Sequence, residues 1–134
     1  MPKYLLCLVL CAVLLGACSA QPRKAVTAIA VVINNDRFTP SEWRVPGGQM
    51  ITLKISNETT QEHEWVLLTD PPTEPFSADD EAKVVYRLGI AAGETRTVTF
   101  QAPAAPGEYS AACSKPGHLE KGEVGKLLVV QPGY

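Results

Sequence analysis

A β-sandwich of seven or eight strands is the fold class this sequence predicts, and three observations predict it. Short runs rich in Val, Ile and Thr recur along the chain, Pro, Gly and Asn punctuate them, and no helical period is sustained anywhere. With 134 residues, 46% hydrophobic and 19% charged, the chain has the balance of one globular domain.

The elements follow in order. Val26 to Asn34 is rich in Val and Ile, and Met50 to Ser56 alternates, with Ile51, Leu53 and Ile55 on one face and Thr52, Lys54 and Ser56 on the other. Strands are expected again at His63 to Leu68, Lys83 to Leu88, Thr95 to Phe100, Glu108 to Cys113 and Lys126 to Gln131. Pro46-Gly47-Gly48, Ala92-Gly93 and Pro106-Gly107 mark turns between them. Thr69 to Ala82 breaks the rhythm: acidic residues and three prolines surround Phe76, which reads as a solvated flap rather than a core strand, a docking surface being the alternative. Trp43 and Trp65 are expected in the core, Trp65 close enough to His63 to pack beside it. Asn57-Glu58-Thr59 has the form of a glycosylation sequon and is read as a chance match.

The first residues form an address. Lys3 precedes a short apolar run, Leu5 to Leu15, too short to span a bilayer as a mature helix but fitting a secretory leader. Leu15-Gly16-Ala17-Cys18 resembles the lipobox of bacterial lipoproteins, in which the chain is cut before the cysteine and the cysteine is acylated. Each buried methylene of such chains contributes about 0.8 kcal/mol to anchoring. The expected organisation is a leader over 1–17, a lipidated tether over 18–25 and a folded domain over 26–134, held at the extracytoplasmic face of a bacterial membrane. Twelve basic and fourteen acidic side chains give a formal charge of −2, and the charge balance offers nothing to nucleic acid.

Cysteine usage then becomes informative. Cys7 and Cys11 leave with the leader and Cys18 becomes a thioether, so Cys113 is the one thiol of the mature chain, in a compartment where thiols oxidise. Such a thiol is buried, reactive or metal-bound. It opens Cys113-Ser114-Lys115-Pro116-Gly117-His118, whose Pro-Gly turn can bring the His118 ring back to the sulfur, while His63 opens a strand far upstream. A thiolate with two imidazoles is the trigonal set that suits copper. The competing reading, a cysteine nucleophile with a histidine base, finds no oxyanion-hole or substrate-pocket pattern to support it. A dinuclear copper centre would need a second cysteine in the loop, and a multicopper oxidase many more histidines.

Phe38-Thr39-Pro40, Val45-Pro46-Gly47-Gly48, His63-Glu64-Trp65-Val66-Leu67, Ala92-Gly93-Glu94-Thr95, Pro106-Gly107-Glu108-Tyr109 and the loop from Cys113 to Gly125 stand in the order and spacing of a cupredoxin. The sequence resembles the plastocyanin/azurin family, and in pattern the auracyanin-like lipoproteins, over nearly all of residues 26–131. That resemblance implies a Greek-key sandwich and one copper ion, cycling between Cu(I) and Cu(II), with His63, Cys113 and His118 as equatorial ligands. It departs from the family at two places. Glu123 stands where the axial methionine belongs, and Met50 is the one methionine left after the leader. Glu64 stands where azurins carry an asparagine that braces the cysteine loop, and Glu64 and Ser114 are both expected beside the ligands.

Glu123 has two expected fates. If it coordinates, a hard carboxylate favours Cu(II), shifts the colour from blue to green or red and lowers the potential. If it turns to solvent, it pairs with Lys121 or Lys126, and a backbone carbonyl near Glu62 assists three strong ligands. The resemblance implies a non-enzymatic, monomeric carrier of single electrons between redox proteins such as a cytochrome or an oxidase, with the edge of His118, ringed by Pro116, Gly117 and Leu119, as its electron port. Two alternatives remain: a copper lipoprotein for storage, delivery or sensing, and a red-copper site that binds a small ligand.

Overall fold

The computed structural model describes residues 24–133. The leader, the tether up to Arg23 and the lipidation position Cys18 lie outside the described residues. Nine strands run β1 Ala28–Asn34, β2 Arg37–Thr39, β3 Glu42–Pro46, β4 Met50–Asn57, β5 His63–Leu68, β6 Val84–Ile90, β7 Thr95–Gln101, β8 Gly107–Ala112 and β9 Val124–Val130. A four-stranded sheet has the order β2-β1-β4-β7 and a five-stranded sheet the order β3-β9-β8-β5-β6. The sandwich is the one expected, but its strand count is higher. β2 and β3 are short and separated by Pro40 and Ser41, so the run from Arg37 to Pro46 carries no extended alternation to announce them.

The two faces of each strand explain the layers. In β4, Ile51, Leu53 and Ile55 are fully buried between exposed Thr52 and Lys54, as alternation requires of a sheet with one solvated face. Together with Ile33, Trp43, Val45, Trp65, Leu67, Ile90 and Leu127 they form the core between the sheets. Trp65 sits at its centre, with ring centroids 5.8 Å from Trp43 and 5.6 Å from Phe100 in tilted or edge-on contacts. Packing where β9 meets the start of β3 is tight enough to dictate sequence: a Cβ on Gly125 would stand 2.8 Å from the Ser41 carbonyl oxygen and 2.9 Å from the Trp43 ring.

β5 does not alternate. Trp65 and Leu67 face the inter-sheet core, while Val66 and Leu68, equally buried, face the other way. That outward apolar face must be covered, and the segment after β5 covers it. Phe76 packs with Val66, Leu68, Val84, Ala112 and Leu119 in a second small core. The segment is therefore solvated on its outer side, as its acidity and prolines suggest, and anchored to the sheet through half-buried Phe76. It carries a single helical turn, α1 Ala78–Glu81, capped by Ser77 in a reciprocal box with Asp80. The Asp80 carboxylate is fully buried and accepts from the Ser77 amide and hydroxyl and from the Thr73 amide and hydroxyl, which hold it well below the usual carboxylate range.

Substituting Gly125→Ala should overpack the Ser41–Trp43 contact and cost about 1–3 kcal/mol. Urea unfolding of the metal-free protein reads this as a lower midpoint at unchanged slope.

Candidate metal centre

Sheet register builds the site. β5 and β8 are antiparallel neighbours with Val66 opposite Ala112, so the start of β5 and the end of β8 meet at one edge of the sandwich. His63 opens β5 and Cys113 follows β8 there. β8 and β9 pair with Ala112 opposite Val124, and the Cys113 amide donates to the Glu123 carbonyl oxygen at 3.1 Å, closing the base of the intervening loop. Inside it, the Lys121 and Glu123 amides both donate to the His118 carbonyl, and Gly117 and Gly122 take positive φ where the chain reverses. The loop thus folds His118 back between Cys113 and Glu123.

Four donors converge as a result. One ligand atom each from His63, Cys113, His118 and Glu123 lies within 4.8 Å of all the others, and all four residues are buried. His63 Nδ1 stands 2.8 Å from both carboxylate oxygens of Glu123, His118 Nδ1 stands 3.0 Å from Oε2 and 3.1 Å from His63 Nδ1, and Cys113 Sγ stands 3.5 Å from His118 Nδ1. Glu123 is turned inward with no exposed surface. It does not pair with Lys121, which bonds Asp36, or with Lys126, which bonds Glu108, so its turned-out fate is not the one adopted.

Lone pairs crowded in a dry pocket need a proton or a metal cation among them. Burial pushes the Glu123 carboxyl up to about 8, and burial with the adjacent Glu123 charge pushes the Cys113 thiol up to about 12. Burial, followed by the proximity of His118, lowers His63. Metal-free, the pocket favours a neutral carboxyl whose proton is shared with the facing imidazoles. A divalent ion would take that place.

The surroundings hold the donors still. The Glu64 amide donates to Cys113 Sγ at 3.3 Å, and the Glu64 carboxylate accepts from the Ser114 hydroxyl. Sequence reasoning missed Arg87, whose guanidinium bonds Glu64, Glu81 of α1 and Ser114. It also missed Thr59, whose hydroxyl lies 2.8 Å from His63 Nε2, and Asp36, 3.7 Å from the same nitrogen. None had a signal in the sequence, because each is an ordinary polar residue brought close only by strand pairing. The His118 side chain keeps 10% exposure beside exposed Pro116 and Gly117. Leu119 does not share that rim: it is 2% exposed and turned into the second core.

The comparisons agree with this geometry. The family model for a cupredoxin-like domain matches residues 6–129. The chain belongs to the cupredoxin family. Among relatives, this cupredoxin is 30% identical over 113 residues to the copper-resistant cuproprotein CopI of Rubrivivax gelatinosus, covering 79% of this chain and 68% of that one. Among solved structures, reduced auracyanin from Roseiflexus castenholzii aligns with a TM-score of 0.66 and 28% identity over 80% of this chain and 99% of that one. Auracyanin A of Chloroflexus aurantiacus, a "blue" copper protein, gives 0.63 and 27% over 80% and 100%. Rusticyanin, at 18% identity and a TM-score of 0.57 over 80% and 82%, shares the fold. One soft sulfur, two imidazole nitrogens and a carboxylate fit a single copper ion, with Glu123 in the methionine's place.

The raised carboxyl sets a pH dependence for the metal-free cupredoxin. Between the ordinary 4.5 and about 8, the folded state keeps a proton that the unfolded state releases, so Glu123 makes stability fall as pH rises through that window. Unfolding free energies across it should decline less steeply for Glu123→Gln than for the unaltered chain. Equal slopes would remove Glu123 from the titration.

Proposed function

We propose that this cupredoxin carries single electrons between extracytoplasmic redox proteins while held to a membrane through acylated Cys18. The observation that carries the reading is the closed four-donor pocket with one barely exposed edge, the His118 ring. When bound, copper supplies a one-electron Cu(I)/Cu(II) couple. The chain's own contribution is restraint. The loop is tied at its base, the sulfur accepts from the Glu64 amide, and Arg87 with Ser114 fixes Glu64, so the donors already stand together before loading.

The lipobox-like Leu15-Gly16-Ala17-Cys18 supports a lipid anchor. Exposed Asp70, Glu74, Asp79 and Glu81 on the β5–β6 connection would steer a basic partner such as a cytochrome, with salt-sensitive rates. A small exposed rim at Pro116 and Gly117 suits brief encounters. The features argue for a carrier and not an enzyme.

A second reading has its own support. The Rubrivivax relative is named for copper resistance, and an anionic Glu123 donor strengthens retention of Cu(II), so copper storage or delivery is the alternative.

The test is the visible spectrum and voltammetry of residues 19–134 with one equivalent of Cu(II). An intense thiolate-to-copper band, lost in Cys113→Ala, with a reversible one-electron wave is the expected result. A green or red rather than blue colour is expected from carboxylate ligation, and Glu123→Met should move it towards blue and raise the potential. Copper loss on reduction would favour storage or delivery, and no thiolate band would overturn both readings.

A further inference from the structure

A densely bonded polar group outside the four donors is Asn57, at the end of β4 and 2% exposed. Its amide nitrogen donates to three carbonyls, Gln61 at 2.7 Å, Ala91 at 2.9 Å and Ile90 at 3.3 Å. Those acceptors fix which way the amide faces, since an oxygen there would meet only other oxygens. Asn57 Oδ1 therefore points to Thr59, accepting from its amide at 3.0 Å and from its hydroxyl at 2.8 Å.

The direction of the next bond follows. The Thr59 hydroxyl has one hydrogen, and its 2.8 Å contact with Asn57 Oδ1, an oxygen that can only accept, requires that hydrogen there rather than on His63 Nε2, with the Gln61 carbonyl at 3.2 Å as the other acceptor in reach. Whichever takes it, the Thr59 oxygen is left accepting from its other neighbours, the Gln61 amide at 3.2 Å and His63 Nε2 at 2.8 Å. Nε2 must then carry the hydrogen. Asp36, an acceptor 3.7 Å from the same nitrogen, acts in the same sense. The hydrogen on Nε2 leaves Nδ1 with its lone pair, and Nδ1 is the nitrogen that faces Cys113, His118 and Glu123.

We propose that Thr59, oriented by Asn57, is a positioning residue that fixes the tautomer and ring plane of His63 so that Nδ1 is presented to the metal. This rests on reading His63 as a copper ligand. Thr59 suits the task because its branched Cβ restricts the side-chain rotamer, so the hydroxyl is aimed before the imidazole arrives. Without that acceptor, nothing holds the imidazole hydrogen on Nε2, and it is free to sit on Nδ1 against the Glu123 oxygens, the position the ion needs.

The test begins with the unaltered metal-free protein. Long-range proton–nitrogen correlation of the His63 ring should show hydrogen on Nε2, and hydrogen on Nδ1 overturns the proposal without any variant. Thr59→Val keeps the shape and removes the hydroxyl, so a share of His63 should move to the Nδ1–H form, and copper affinity by chelator competition should fall about 10–100-fold. Thr59→Ser should restore both. A Thr59→Val protein with an unshifted tautomer and unchanged affinity overturns the proposal, as does Thr59→Ser behaving like Thr59→Val. If the unaltered protein takes up no copper, the ligand reading fails, while the metal-free tautomer still decides whether Thr59 positions the ring.

Discussion

A buried carboxylate, a thiol and two imidazoles facing one another are mutually unfavourable until something positive stands between them. Each has lost water, and Lys121, whose charge is felt at Glu123, is bonded to Asp36 instead. The cost of such a pocket is met by the rest of the sandwich, which must hold the groups together against their repulsion. That explains why restraint is so dense here: antiparallel pairing of β5 with β8 and β8 with β9 fixes three of the four positions from the backbone. The loop between Cys113 and Glu123 is closed by a backbone hydrogen bond, so its His118 has little freedom to withdraw.

The same constraint reaches the far face of the sheet. β5 carries His63 at one end and is buried on both sides, so it needs a cover as well as a core. The connection after it supplies that cover, and Leu119, next to His118, is one of the residues under it. Arg87 adds a polar tie from α1 to Glu64 and Ser114, the neighbours of His63 and Cys113. Two contacts thus join the acidic surface of the connection to the ligand loop, one apolar and one ionic. Displacing that connection would be felt at the donors.

Much of this was legible in the sequence, for reasons that differ by residue. The alternation of Ile51, Leu53 and Ile55 announces a half-solvated strand, and the turn residues mark where strands stop. The donor set was legible because soft ligands are scarce: with two histidines and a single thiol in the mature chain, few constellations were available. The inward turn of Glu123 was open, because a carboxylate beside Lys121 could as readily pair with it, and only loop closure decides between them. The polar composition of the connection after β5 announced its solvated side and hid its anchoring through Phe76, although the unbroken run Trp65-Val66-Leu67-Leu68 carried the signal that both faces are buried. Thr59, Arg87 and Asp36 were invisible, since their parts depend on partners far along the chain.

The burial of Asn57 also bears on how this protein can be made. Asn57-Glu58-Thr59 reads as an acceptor for an N-linked sugar, yet in the folded chain its amide nitrogen is committed to three carbonyls and closed off from solvent. Glycan transfer acts on chains still emerging into a eukaryotic secretory pathway, before β4 and β5 have paired with their neighbours. A sugar added there would occupy the nitrogen that the turn into β5 requires, and the glycosylated chain could not close around its own ligand. Hosts without that machinery leave the asparagine free to fold.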